Sequence, residues 1–217
     1  MGDVLLIDDK HRRAGEAIIQ EILKSSQEKY VVAISGESGS GKSELAHVIA
    51  RGLRNSGVVS KAISADNFYR VHPLERTEFR KKYGVETVVG PDEYDWGAIY
   101  QMLEDFRSGI VSNIPCVDLV TDHVDRLTTD FGPIQVLVVD GIYAIKTEGI
   151  DLRVFIDLTY HETKKAQVVR GKEPQNEFRM QVLEQEHRMV HALKPLADLV
   201  ISREYEPVRQ TPAAAAA

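Results

Sequence analysis

The chain has 217 residues, of which 43% are hydrophobic and 28% charged, which fits one α/β domain with a full core or such a domain with a small lid. No apolar run approaches the ~18 residues of a membrane helix, and a formal net charge of −6 argues against nucleic acid as a partner. The single cysteine, Cys116, excludes an internal disulfide or a cysteine-rich metal site and reads as a packing residue.

The first residues lack a basic stretch followed by an apolar one, and Leu6 stands where myristoylation prefers Ser or Thr, so the expectation is a cytoplasmic protein without membrane attachment. Ala14, Ala17, Ile18 and Ile22 recur at helical spacing and predict a helix over 11–26, beside the main sheet and within an N-terminal extension over 1–29. Val31 to Ser35 is a buried-type strand. Residues 44–53 have helical periodicity closed by Asn55 and Gly57. Further strands are expected at Ser60 to Ser64, Ile114 to Val120, Val136 to Asp140, Val154 to Asp157 and Leu199 to Ile201, and further helices at 95–107, 161–170 and 175–193. This alternation predicts a mainly parallel sheet between helices. The charged segment 68–95, with Pro73, Gly84, Gly90 and Pro91, reads as an excursion covering a substrate. The alanines 213–217 are assigned no function, leaving 1–212 as one domain.

Between the first strand and the next helix lies Gly36-Glu37-Ser38-Gly39-Ser40-Gly41-Lys42-Ser43, followed by Glu44. Gly-x-x-x-x-Gly-Lys-Ser is a triphosphate cradle: the glycines let backbone N–H groups turn toward phosphate oxygens, and the helix presents its positive end to the same anion. Lys42 would meet the terminal phosphates and Ser43 would hold Mg²⁺. Val136 to Val139 ends in Asp140, placed like a second Mg²⁺-organising acid; a turn-capping Asp beside Gly141 is the plainer alternative. Asp66 follows the second strand, where a side chain faces the ligand crevice and could take a proton from a hydroxyl, or could merely form an Asx-turn. Asp130-Phe131-Gly132 matches a protein-kinase tripeptide without the His-Arg-Asp loop that should precede it, and His187 and His191 lack the Glu of a zinc helix.

Taken together, the P-loop, Asp66-Asn67-Phe68-Tyr69-Arg70, Gly90-Pro91-Asp92-Glu93-Tyr94-Asp95 and Val138-Val139-Asp140-Gly141-Ile142 resemble the uridine kinase and phosphoribulokinase family over about residues 30–203. The resemblance implies an α/β P-loop NTPase fold of the nucleoside monophosphate kinase type, with a mainly parallel sheet sandwiched by helices and a small lid over about 170–179. It makes Asp66 the base at the acceptor hydroxyl, Tyr69 and Asp92 acceptor-pocket residues, and Asp140 the metal-side acid where the family more often has Glu. Arg170 falls on a lid-arginine position and, with Lys42, would stabilise phosphoryl charge; Lys172 and Arg179 are left open as phosphate contacts. Asp95 is expected to cap the helix beginning at Trp96. Val89 stands where uridine kinases hold the ribose with Asp, and Val117-Asp118-Leu119 replaces a Tyr-Asp-Phe strand, so the acceptor is not named by the resemblance.

The resulting expectation is an enzyme using ATP and Mg²⁺ to phosphorylate a hydroxyl of a nucleoside, sugar or related metabolite, with monomer or homo-oligomer undecided. An NTP hydrolase or switch, or a nucleotide-binding protein without kinase activity, is the alternative. A GTP switch should carry Asn-Lys-x-Asp, which the sequence lacks.

Overall fold

The structure, a computed structural model, describes residues 4–25, 27–170 and 176–210, with Arg170 described in its backbone alone. Its centre is a set of short strands whose side chains alternate between two cores. In β1 (Tyr30–Gly36), Val31 and Ala33 face one hydrophobic cluster while Val32 and Ile34 face the other. In β5 (Val136–Asp140), Leu137 and Val139 join the first cluster and Val136 and Val138 the second. A period of two with both faces apolar is what a parallel strand covered by helices on each side requires.

The six-stranded sheet runs β2-β5-β1-β6-β7-β8, with β2 (Ser60–Ser64), β6 (Leu152–Ile156), β7 (Leu199–Ile201) and β8 (Pro207–Arg209) completing it. All neighbours pair parallel except β7 and β8, which are antiparallel. On one face lie α1 (Asp9–Leu23) and α2 (Lys42–Asn55), which bury Ala14, Ile18, Ile22, Leu45, Ile49 and Leu53. On the other lies α5 (Trp96–Ser108), through Ile99, Met102 and Phe106. Asp8 caps α1, and Asp95 caps α5 by accepting from the Ala98 N–H, as its position predicts.

Two segments depart from the sequence expectation. The strand expected at Ile114 to Val120 is β3 (Val111–Val117), and it does not join the main sheet: it forms a separate antiparallel hairpin with β4 (Val124–Asp130), a strand the reading omitted. The sequence of β4, Val-Asp-Arg-Leu-Thr-Thr-Asp, is polar because most of the strand is exposed, so it lacks the apolar run by which the other strands were recognised. The charged excursion over 68–95 contains helices that the sequence reading did not assign. It holds α3 (Pro73–Tyr83) and α4 (Val85–Val88), and its ends are stitched together by Arg70 N–H to Glu93 O at 2.8 Å and Asp95 N–H to Phe68 O at 2.7 Å. Two further helices, α6 (Lys164–Arg170) and α7 (Glu177–His191), flank the expected lid, of which 171–175 lie outside the described residues. No helix among the described residues is long and apolar enough to cross a membrane.

Candidate active site

The carboxyl ends of β1, β5 and β2 lie side by side, and the register pairs Ile34 and Ser64 with Asp140. The loop after β1, the last residue of β5 and the turn after β2 therefore share one rim of the sheet, where open α/β folds bind ligands.

The loop after β1 is a tight cradle. Gly39 and Gly41 have φ of 76° and 96°, in the left-handed region. A Cβ at Gly41 would lie 2.5 Å from Tyr205 Oη, and one at Gly39 2.8 Å from Gln167 Cγ. Glycine is thus required both by conformation and by close approach. Gly41 is the N-cap of α2 and no side chain caps the helix, which leaves its first N–H groups directed at whatever occupies the loop. Ser40 Oγ is buried without a hydrogen-bond partner among the described residues. A loop lined by uncapped donors and an orphaned hydroxyl fits a polyphosphate.

Around this cradle the side chains divide their work. Lys42 Nζ donates to Glu37 O at 2.8 Å across the loop. The Glu37 carboxylate turns away, accepting from Tyr160 N–H at 2.7 Å and meeting His187 Nδ1 at 2.7 Å, so Glu37 can serve a nucleotide only through its main chain. Glu44 Oε1 likewise accepts from Leu6 N–H at 3.1 Å and braces the N-terminal segment. The two histidines set aside as a zinc helix are explained in part: His187 joins α7 to the P-loop. Ser38 gathers the lid flanks, its carbonyl accepting from Thr163 Oγ1 at 2.7 Å and Gln167 Nε2 at 3.3 Å, its hydroxyl from Arg179 Nη2 at 3.3 Å.

Ser43 Oγ donates to Asp140 Oδ2 at 2.9 Å, and Asp140 is 5% exposed. A hydroxyl and a carboxylate held together beside a triphosphate loop form the hard-oxygen donor set that suits Mg²⁺, which takes one or two protein oxygens and completes its shell with phosphate and water. A cavity of about 640 Å³ opens here, lined by Ser43 and Asp140 and also by Asp66, Asn67, Arg76 and Arg179. Asp66 Oδ1 accepts a 2.9 Å hydrogen bond from the Tyr94 hydroxyl. Burial pushes the Tyr94 hydroxyl well above its ordinary pKa, and the neighbouring Asp66 charge adds to the effect, so Tyr94 stays a donor at neutral pH.

Tyr69 and Asp92, expected in the acceptor pocket, are not among the residues lining this cavity. The Tyr69 ring is covered by the Arg76 guanidinium at 3.6 Å and packs edge-on to Tyr94, while Asp92 is exposed. Glu93, the residue after Asp92, is buried, and its carboxylate holds buried Arg80 at 2.8 and 3.0 Å. Cys116 lines the cavity from β3, and Val89 is a 2% exposed core residue. The Arg170 side chain and Lys172 lie outside the described residues. The sequence reading did not single out Tyr94, Arg76, Arg80 and Glu93; Glu93 and Tyr94 alone had a signal, lying within the Gly90 to Asp95 motif.

A strand, a glycine loop and a helix, joined by a carboxylate on the neighbouring strand and a second one on the turn beside it, define a P-loop kinase. The phosphoribulokinase / uridine kinase family matches residues 31–173, more than half of the chain, and the protein belongs to that family of small-molecule kinases. It is 29% identical to the uridine kinase of Mycoplasma genitalium over 136 residues, 61% of this chain and 62% of that protein. With the uridine kinase of Mycoplasma pneumoniae it shares 26% over 187 residues, 81% of this chain and 86% of the relative. Among solved structures, that of a possible uridine kinase from Bacillus stearothermophilus superposes with a TM-score of 0.65 at 17% identity, covering 87% of this chain and 97% of the other, a likeness of fold.

Proposed function

We propose that the protein transfers the γ-phosphoryl group of ATP to a hydroxyl of a small metabolite, with Asp66 as the base at that hydroxyl. The supporting observation is that Asp66, hydrogen-bonded by Tyr94, lines the same cavity as the Ser43–Asp140 pair at the mouth of the triphosphate loop. Phosphoryl transfer asks little covalent chemistry of the protein and much positioning and charge stabilisation. The main chain of residues 36–43 holds the phosphates, and Lys42 is the cation that shifts from Glu37 O to the phosphate oxygens. Ser43 and Asp140 are the residues that would hold Mg²⁺, which when bound would offset the charge on the phosphate oxygens.

On the acceptor side Asp66 orients the hydroxyl and takes its proton, while Tyr94 fixes the carboxylate that does so. Arg179, reaching Ser38 from α7, brings a positive charge to the loop as a phosphoryl contact. Acceptor-stimulated ADP release across nucleosides, sugars, polyols, sugar phosphates and sugar acids tests the reading. Turnover rising with one acceptor class supports it; ADP release that no acceptor stimulates favours the hydrolase alternative.

A further inference from the structure

Arg76 of α3 is a cation on the cavity wall that phosphoryl transfer does not use. Three arginines of this wall differ in how their charge is met. Arg80 is paired bidentately with Glu93 and lies 3.7 Å from Glu186 Oε1. Arg179 lies 3.5 Å from that same Glu186 oxygen. Arg76 forms no ion pair among the described residues, and its buried Nε has no hydrogen-bond partner there. The side chain is nonetheless fixed in place. Its guanidinium sits 3.6 Å from the Tyr69 ring centroid, and Tyr69 is braced edge-on by Tyr94 at 4.6 Å, the residue that also holds Asp66.

A preorganised guanidinium with unused donors, in the cavity that holds the proposed base, is a receptor for an anion with paired oxygens. Beside Arg76 the lining carries aliphatic Pro73, Leu74, Leu119 and Val182, the aromatic rings of Phe178 and His47, and the neutral polar groups of Thr77 and Asn176. The geometry points to an acceptor bearing an anionic group, a phosphate ester or a carboxylate, seated on Arg76 with its hydroxyl at Asp66. This deepens the kinase reading and rests on it. It also answers an electrostatic difficulty, since Asp66, Asp140 and Asp122 all line the cavity and would repel such a substrate without a dedicated cation.

The test is direct binding to the protein saturated with Mg²⁺ and a non-hydrolysable ATP analogue, which fills the P-loop so that phosphate binding there is not counted. Ribose 5-phosphate, gluconate, ribose and uridine are titrated by calorimetry into wild type, Arg76→Gln and Arg76→Lys, and turnover with ATP is measured on the same panel. The expected result is binding of an anionic member that weakens roughly 10- to 100-fold in Arg76→Gln and recovers in part in Arg76→Lys, with affinity for the ATP analogue unchanged. Preference for ribose 5-phosphate assigns the phosphate source and preference for gluconate the carboxylate source. Binding confined to the neutral members, or no panel member that distinguishes wild type from Arg76→Gln, overturns the inference. Neutral-acceptor turnover indifferent to Arg76→Gln overturns it while keeping the kinase reading; anion binding at Arg76 with no phosphoryl transfer to any member of the panel overturns it as an acceptor site and counts against the kinase reading as well.

Discussion

Asp66 is exposed, and what makes it more than a surface carboxylate is the Tyr94 hydroxyl 2.9 Å away. Asp66→Asn keeps the shape and removes the base, so nucleotide affinity should persist while turnover falls by about 10²–10⁴; equal turnover would take Asp66 out of the mechanism. Tyr94→Phe tests the support separately. It should lower kcat by roughly tenfold and leave the KM for ATP unchanged, because the lost hydrogen bond is worth ~1–1.5 kcal/mol and bears on the acceptor side. At this scale the sequence was readable wherever chemistry is written in short spacing. The P-loop is contiguous, and Asp140 ends an apolar strand. It was not readable where partners are distant in sequence: nothing near Asp66 announces Tyr94, 28 positions on, or sets Arg76 on Tyr69.

At the scale of elements, α3 is fastened to the fold by a buried ion pair rather than by apolar burial. Arg80 is its one buried residue and pairs with Glu93, with Glu186 of α7 beyond. Burial alone would depress the Arg80 pKa, yet the hydrogen bonds with Glu93 and the charge of Glu186 raise it overall, so Arg80 stays charged. Removing one member strands a buried charge. Glu93→Ala should therefore destabilise by about 3–5 kcal/mol in urea denaturation, and a loss within experimental error would show that α3 is held by something else. This element explains why the sequence reading assigned no helix within the excursion over 68–95: its charged composition hides a helix whose anchor is electrostatic. The β3–β4 hairpin was misplaced for a related reason, since an exposed ladder needs no apolar period to form.

Across the whole molecule, both chain ends converge on the nucleotide loop. Leu6 N–H meets Glu44, and Tyr205 donates to Ser40 O at 3.2 Å. His11 packs edge-on to Tyr205 at 4.9 Å and is 4% exposed. Burial lowers the His11 pKa below its ordinary 6.5, outweighing the opposing pull of Asp8 and Glu44, and Lys10 lowers it further. The unfolded chain then binds the proton more readily than the folded one, so stability falls as pH drops below about 6.5 and levels off once the folded pKa is passed. The Tm should decline from pH 7.5 to 5.5, and His11→Asn should flatten that slope; an unchanged slope would assign the acid sensitivity elsewhere. Asp8, whose own carboxyl is held below its ordinary 3.8, titrates below this window. The parallel core was legible as apolar runs and the family as ordered motifs, whereas this closure onto the loop depends on residues that meet only in the folded chain.

On the proposed function, the cavity joining Asp66 to the Ser43–Asp140 pair is where ATP meets a hydroxyl. Phosphorus NMR of the protein with ATP, Mg²⁺ and the acceptor that most stimulates ADP release tests it most directly. A new phosphate-ester resonance growing in step with ADP, and lost in Asp66→Asn, is the predicted result. Inorganic phosphate as the sole new product, formed equally by wild type and Asp66→Asn, would contradict it.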